Sequence, residues 1–252
     1  RELHPDVNPD PRAADAFARI EVLFNAPDVV VHLARGRKRS GAMEWDLGGG
    51  NEDLAATAVV AARDVLRQPN PDGSAPTVQW VPAPAVSGHV LTSTHGPGWW
   101  PLTDFPALDA ATAAWVWNRL LAVIHLAERA GWIHGDIAPG VIALNPVEHG
   151  LRLDGWWTAV RSGHRLVVAP TSATPPAYKG GKPADVRLSL AQAASSLLEC
   201  SAPSPKIKNL LLQTSLRPAG LPKTLELTRG ALHADFGRRA WHELAAPSAV
   251  AI

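Results

Sequence analysis

The sequence of 252 residues contains a single cysteine, Cys200, so it cannot form an intramolecular disulfide. A lone thiol fits a reducing compartment, and we expect a cytoplasmic protein. The sequence also lacks any continuous apolar run of the ~20 residues that a membrane-spanning helix needs, and it shows no signal-peptide pattern. We therefore expect no membrane partner.

No sign of charge predominates, because 24 basic residues face 23 acidic ones for a formal net charge of +1. This balance gives no reason to expect nucleic acid or another polyanion as a partner. The one dense basic run, Arg35–Arg39, is interpreted as a solvated turn, although an acidic or nucleic-acid partner would also fit it. The 10 histidines are scattered rather than placed at metal-ligand spacing, so the sequence does not predict a zinc site.

What the sequence does contain is a fixed order of strand-like and helical patterns. Short β-branched or alternating runs fall before residue 98, and amphipathic helical periodicity dominates after it. Strands are predicted in a hairpin over 28–48, with its basic turn at 35–41, and at 77–81, 89–94 and 151–154. Helices are predicted at 11–25, 51–68, 109–130, 185–200, 206–217 and 222–244.

The most informative segment is 132–144, Trp-Ile-His-Gly-Asp-Ile-Ala-Pro-Gly-Val-Ile-Ala-Leu. A predicted helix leads into His134-Gly135-Asp136, and an apolar strand follows. In this context the tripeptide resembles the His-Gly-Asp of aminoglycoside-phosphotransferase-like kinases and the His-Arg-Asp of protein kinases. The resemblance implies that Asp136 stands where the catalytic base accepts the proton of the substrate hydroxyl.

Two further segments extend the resemblance to a protein-kinase-like fold across residues 28–245. Leu-Arg-Leu-Asp-Gly-Trp at 151–156 resembles the segment whose aspartate is the main magnesium ligand, which implies that role for Asp154. Asp185 begins a predicted helix that resembles the family's long core helix. There the aspartate braces the catalytic loop, so Asp185 and His134 are expected to have structural roles.

Other positions depart from the family's pattern. Val141 stands where an asparagine helps to hold magnesium, and a valine side chain cannot coordinate a cation. Ala138 replaces a lysine that is common in protein kinases. No Gly-x-Gly-x-x-Gly phosphate loop is found, and Trp45 occupies the likeliest position for the strand lysine. Gly48-Gly49-Gly50 is interpreted as a loop rather than an anion cradle, because acidic residues follow it.

The start of the chain carries a second resemblance. His4-Pro5-Asp6, followed by Asn8, Pro9 and an apolar stripe at helical spacing, is similar to the end of a DnaJ-type J-domain. In that family the His-Pro-Asp loop engages a DnaK-type chaperone and stimulates its ATP hydrolysis. The resemblance covers about the first 26 residues, and we expect an upstream segment to supply the rest of such a domain.

Together these patterns predict an α+β fold. We expect a bilobal protein-kinase-like domain with a reduced β-rich small lobe and a helical large lobe, preceded by an N-terminal helix. The predicted boundaries are a J-domain remnant at 1–27, the small lobe at 28–98 and the large lobe at 99–252.

The predicted function is that of a non-catalytic adaptor or co-chaperone-like protein without a cofactor. Its pseudokinase module would bind an unidentified protein client, and His4, Pro5 and Asp6 would dock a DnaK-type chaperone. The alternative is an atypical ATP- and Mg²⁺-dependent phosphotransferase that uses Asp136 as base and Asp154 as metal ligand. A third possibility is a structural component of a larger assembly.

Overall fold

The structure is a computed structural model that describes residues 37–39, 42–69, 80–82, 84–94, 98–167, 173–237 and 247. All of these residues belong to one compact unit of the chain, Ala34–Ile252. The predictions for residues 1–27, including the docking role of His4, Pro5 and Asp6, lie outside the described residues.

A four-stranded antiparallel sheet forms the first part of this unit, in the order β1-β2-β4-β3. Its members are β1 (Arg37–Arg39), β2 (Ala42–Asp46), β3 (Ala85–Ser87) and β4 (Val90–Thr94). In β4, Leu91 and Ser93 are buried, and Leu91 pairs directly with Trp45 of β2. The basic run was predicted as a turn, and this is wrong for Arg37–Arg39, because these residues pair with β2.

Helix α1 (Glu52–Leu66) follows the glycine run and starts after Asn51, as predicted. Its inner face consists of small side chains, and the fully buried members are Ala55, Ala58, Ala61, Ala62 and Val65. Small residues at helical spacing let the helix backbone approach its neighbours closely. The face packs mainly against a short 3₁₀ turn at Trp156–Thr158.

Helix α2 (Ala110–Arg129) is the longest helix and the centre of the core. Asp109 caps its start, because its carboxylate accepts a hydrogen bond from the Thr112 backbone N–H at 2.8 Å. Gly131 ends it with a φ of 74°, a conformation that glycine adopts without a steric penalty. Both ends agree with the sequence prediction.

Short strands surround the segment that follows α2. Strands β5 (Trp100–Pro101), β7 (Ile142–Asn145) and β8 (Gly150–Leu153) form one antiparallel sheet, and β6 (Trp132–Ile133) pairs with β9 (Val160–Arg161). A turn joins β7 to β8, and Asn145 Oδ1 accepts hydrogen bonds there from the backbone N–H groups of Val147 and Glu148. These sheets fix the ends of the loop between β6 and β7.

Four further helices complete the described unit. They are α3 (Pro176–Lys179), α4 (Val186–Cys200), α5 (Pro205–Leu216) and α6 (Leu221–Phe236). Helix α4 is buried along most of its length and packs against both α2 and α5. Helix α6 ends at Gly237, and the rest of the predicted helix, 238–244, lies outside the described residues.

The predicted α+β class is confirmed: the described residues contain six α-helices and small antiparallel sheets. Both tryptophans of the Trp156-Trp157 doublet are buried, with exposed fractions of 2% and 3%, so neither faces outward. Within the described ranges, no helix combines the length and the apolar character needed to cross a bilayer.

Candidate functional site

His134 lies directly after β6 and is buried. Its Nε2 lies 2.6 Å from the backbone carbonyl oxygen of Asp154. A carbonyl only accepts, so Nε2 carries the proton. Burial lowers the pKa of His134 to about 4, against the opposing effect of the Asp154 carbonyl, and the ring is therefore neutral near pH 7. The imidazole also packs edge-on against Trp156, with ring centroids 4.8 Å apart.

Gly135 permits an unusually close contact between two backbone segments. A Cβ atom at this position would lie 2.1 Å from the carbonyl oxygen of Thr158, and the φ of 88° itself favours glycine. The Thr158 hydroxyl lies 2.5 Å from the His134 carbonyl oxygen and donates to it. The middle residue of the His-Gly-Asp motif is thus required by packing.

Gly155 has the corresponding role on the other segment. Its φ is 85°, and an added Cβ would lie 2.9 Å from the Val141 side chain and 3.2 Å from the His134 ring. Asp154 N–H donates to the Val141 carbonyl at 2.8 Å, which joins the same two segments through the backbone. Asp136 and Asp154 each lie next to one of these two glycines, and both are 3% exposed.

Helix α4 forms hydrogen bonds with residues 134–137, here called the braced loop. The Gln192 side-chain amide donates to the Gly135 carbonyl at 2.7 Å and accepts from the Ile137 N–H at 3.3 Å. The Ser196 hydroxyl donates to the Ile137 carbonyl at 2.6 Å. Every one of these polar groups is buried, so each hydrogen bond satisfies a group that water cannot reach.

The sequence analysis did not single out Gln192 or Ser196. Their signal was present, since Asp185, Ser189, Gln192 and Ser196 follow helical spacing on one face of an otherwise alanine- and leucine-rich helix. A line of polar side chains on a buried helix face indicates partners that need hydrogen bonds.

Asp185 lies at the start of α4, where its carboxylate accepts from the Arg187 N–H at 2.9 Å as the helix cap. The Tyr178 hydroxyl donates to the same carboxylate at 2.6 Å, and Lys182 forms an ion pair with it at 3.5 Å. Among the described residues, the hydrogen bonds from α4 to the braced loop come from Gln192 and Ser196, two turns or more beyond Asp185.

Asp154 combines burial with an unusual protonation state. Burial raises the pKa of its carboxyl group to about 7, while the neighbouring Arg152 charge and a hydrogen bond from Ser93 act in the opposite direction. The Ser93 hydroxyl donates to Oδ1 at 3.1 Å. The same burial lowers the pKa of Arg152, whose guanidinium lies 5.1 Å from the Trp99 ring centroid. Asp154 is therefore partly protonated at neutral pH.

A narrow cleft opens beside Asp154, and its walls are mostly apolar. The space between them is about 220 Å³, part of it open to solvent. Trp45 and Trp157 occupy one side, with ring centroids 5.2 Å apart, and Ala58 of α1 lies beside them. Trp45 stands at the position where the kinase resemblance expects a lysine, and its side chain is 3% exposed.

The residues around the cleft do not fit ATP with Mg²⁺. Pockets for molecules of that size typically enclose about 300–1,000 Å³, which exceeds the space here. Magnesium is held by carboxylate and other oxygen ligands, whereas Val141 has an apolar side chain. In the part of the chain that the structure describes, no three histidine, cysteine or acidic side chains converge as a metal-binding group.

Two polar groups near the predicted site, Asn145 and Gly50, already have hydrogen-bond partners within the chain. The oxygen of Asn145 is engaged by its own turn. Gly50 N–H donates to the Glu52 carboxylate at 3.4 Å, so an acidic group lies where an anion cradle would need its donor.

Two comparisons with known proteins found no match. The chain matches no protein-family model, and no curated protein resembles it significantly in sequence.

Proposed function

We propose that this chain is a non-catalytic, protein-kinase-like binding module joined to the end of a J-domain. In this proposal the His4-Pro5-Asp6 segment recruits a DnaK-type chaperone, and the kinase-like part binds a protein client or an assembly partner. The bilobal division at residue 98 and the loss of phosphoryl transfer are both parts of the proposal.

The observation that carries it is the pairing of Trp45 with Trp157 in the cleft. These two indoles occupy the place where the resemblance expects a lysine and the phosphates of a nucleotide. The braced loop nevertheless keeps a dense set of backbone contacts through Gly135 and Gln192. The braced loop is well packed, while two indoles narrow the cleft beside it. This combination favours a fold that serves binding over one that serves catalysis.

The nucleotide part is tested by melting the full-length protein with and without millimolar ATP and Mg²⁺. Binding at 100 times the dissociation constant would add about 2.7 kcal/mol to the free energy of unfolding. We expect no shift of the melting temperature. A Mg²⁺-dependent rise that disappears in Asp154→Asn but persists in Asp53→Asn would overturn the proposal and favour the phosphotransferase alternative, with Asp136 as base.

The chaperone part is tested separately, by measuring ATP hydrolysis of a DnaK-type chaperone in the presence of the full-length protein. We expect stimulation by the unaltered protein and none by His4→Gln. Equal behaviour of the two proteins would contradict the co-chaperone role and leave a binding or structural module without chaperone recruitment.

A further inference from the structure

Helix α1 is fixed to the β6–β9 sheet by an acidic side chain near its end. Asp64 accepts a hydrogen bond from Trp132 Nε1 at 3.1 Å and another from Arg161 Nη2 at 3.2 Å. These partners lie 68 and 97 residues away along the chain. Both are on the sheet that flanks the braced loop, so one carboxylate joins the helix to that sheet.

The two side chains that donate hydrogen bonds to Asp64 also contact each other. The Arg161 guanidinium carbon lies 4.0 Å from the Trp132 ring centroid, which is close stacking of a cation on an indole. Arg161 Nη1 donates to the Ala130 carbonyl at 3.2 Å, at the end of α2. A planar guanidinium can stack and donate on two sides at once, and an ammonium group cannot reproduce this geometry.

The two elements that this contact joins both contribute to the lining of the cleft. Helix α1 contributes Ala58 to the cleft, and Asp64 lies on the same helix. The segment 156–161 contributes Trp156 and Trp157, and ends in Arg161 of β9. A displacement of α1 from this segment would separate Ala58 from the indoles and open the cleft beside Asp154.

We propose that Asp64, Trp132 and Arg161 form a latch that holds α1 against the Trp156–Thr158 turn and thereby keeps the cleft narrow. The side chains of Asp64 and Arg161 are 22% and 47% exposed, so the latch lies at the surface, where another protein can reach it. The alanine face of α1 makes apolar contacts but has no long side chains that interlock with its neighbours. The hydrogen bonds of the latch therefore fix the position of the helix. This inference is independent of the proposed chaperone role.

The latch is tested by hydrogen–deuterium exchange of the full chain in the unaltered protein and in Asp64→Asn. The asparagine oxygen can still accept from Trp132 and Arg161, but without the charge that strengthens each hydrogen bond by about 1 kcal/mol, so exchange should speed about fivefold in α1 and in 155–161. Exchange in α5 and α6 should not change. The matched control is Glu226→Gln, which removes an exposed ion pair with Lys223 and should leave all of these segments as they were.

Two results would overturn the latch. One is unchanged exchange in α1, and the other is equal acceleration in α5 and α6, which would indicate general destabilisation. If Asp64→Asn does not fold, two milder variants replace it. Trp132→Phe removes only the indole N–H donor, and Arg161→Lys removes only the planar guanidinium group. Each should then speed exchange in α1 by a smaller factor, and the absence of any local change in both would contradict the proposal.

Discussion

The braced loop and the cleft both contact Asp154 and are built by different means. In the braced loop, buried side-chain amide and hydroxyl groups bond directly to the backbone, as Gln192 and Ser196 do. In the cleft, apolar rings fill space, and the single carboxyl group is held partly protonated by burial. The first region depends on directional contacts at fixed distances, and the second depends on volume.

A catalytic site would need both an ordered loop and space for a charged ligand, and the two regions differ in these properties. Holding a loop at a defined geometry requires satisfied backbone groups, and these are present. Admitting a charged ligand requires open polar space, and Trp45 with Trp157 leaves little of it. Under the proposed function, the loop geometry is a property of the fold that does not depend on phosphoryl transfer.

The largest effect is expected from Gly135→Ala in the braced loop. The new Cβ would meet the Thr158 carbonyl oxygen at 2.1 Å, between two backbones that cannot move apart cheaply. We expect a loss of more than about 4 kcal/mol in the free energy of unfolding, measured with urea, or no folded protein at all. Gly140→Ala is the matched control, because nothing lies within 4 Å of a Cβ there. Similar stability of both variants would show that the loop is less tightly packed than the structure indicates.

Trp45→Ala tests whether the cleft is a packed region. Removing a buried indole typically costs about 3–5 kcal/mol, because the cavity that remains is only partly filled by relaxation. Urea unfolding should show a loss in this range, compared with less than about 0.5 kcal/mol for Val147→Ala at a residue that is 89% exposed. A loss of under about 1 kcal/mol for Trp45→Ala would show that the surrounding side chains collapse freely into the space. The cleft would then not depend on packed volume, contrary to the comparison with the braced loop.

Gln192→Leu measures the directional contacts of the braced loop at nearly constant volume. The substitution leaves the Gly135 carbonyl and the Ile137 N–H buried without their partner, which should cost about 2–4 kcal/mol. Gln213→Leu on the exposed face of α5 is the control and should change stability by less than about 0.5 kcal/mol. Thermal unfolding of both variants provides the comparison. Equal melting temperatures would contradict a bracing role for Gln192.

The smallest effect is expected from Asp154→Asn, and it depends on pH. Burial raises the pKa of Asp154 from 3.8 to about 7, so between these values the folded protein binds a proton that the unfolded chain has released. Linkage then makes the contribution of Asp154 to stability fall as pH rises through this window. Asparagine removes that penalty, so the stability of the variant relative to the unaltered protein should increase by about 2 kcal/mol from pH 5 to pH 7.

His134 contributes with the opposite sign. Its pKa is lowered to about 4, so its contribution to stability rises with pH between about 4 and 6.5. Because His134 is present in both proteins, this contribution cancels in the difference between them. Urea unfolding at the two pH values, with Asp53→Asn as a carboxylate control, measures the difference. A difference that does not change with pH would contradict the raised pKa of Asp154.

Local signals carried most of the fold prediction. Asp109 and Asp185 cap the helices that they were expected to begin, and Gly131 ends α2, because a cap and a left-handed glycine act on residues within one turn. The strand at Arg37–Arg39 was missed because consecutive basic residues are typical of exposed turns. Its pairing with β2 is backbone bonding, to which side-chain charge gives no guide.

The contacts that define the site could not be predicted in the same way. Gln192 meets Gly135 across 57 residues of sequence, and Ser93 meets Asp154 across 61. Such pairs depend on how α4 and β4 are placed in space, which no local pattern specifies. A buried role for Trp45 follows from its alternating strand pattern, whereas its packing partner Trp157 could not be identified from the sequence.

The pairing of Trp45 with Trp157 also limits which descendants this sequence can have. A lineage that enlarged the cleft one residue at a time would first pass through a truncated indole, at about 3–5 kcal/mol. Domains of this kind typically have only about 5–15 kcal/mol in total, so that first step would consume much of the margin before any ligand could compensate. Single mutations that enlarge the cleft would therefore be removed by selection against unfolding.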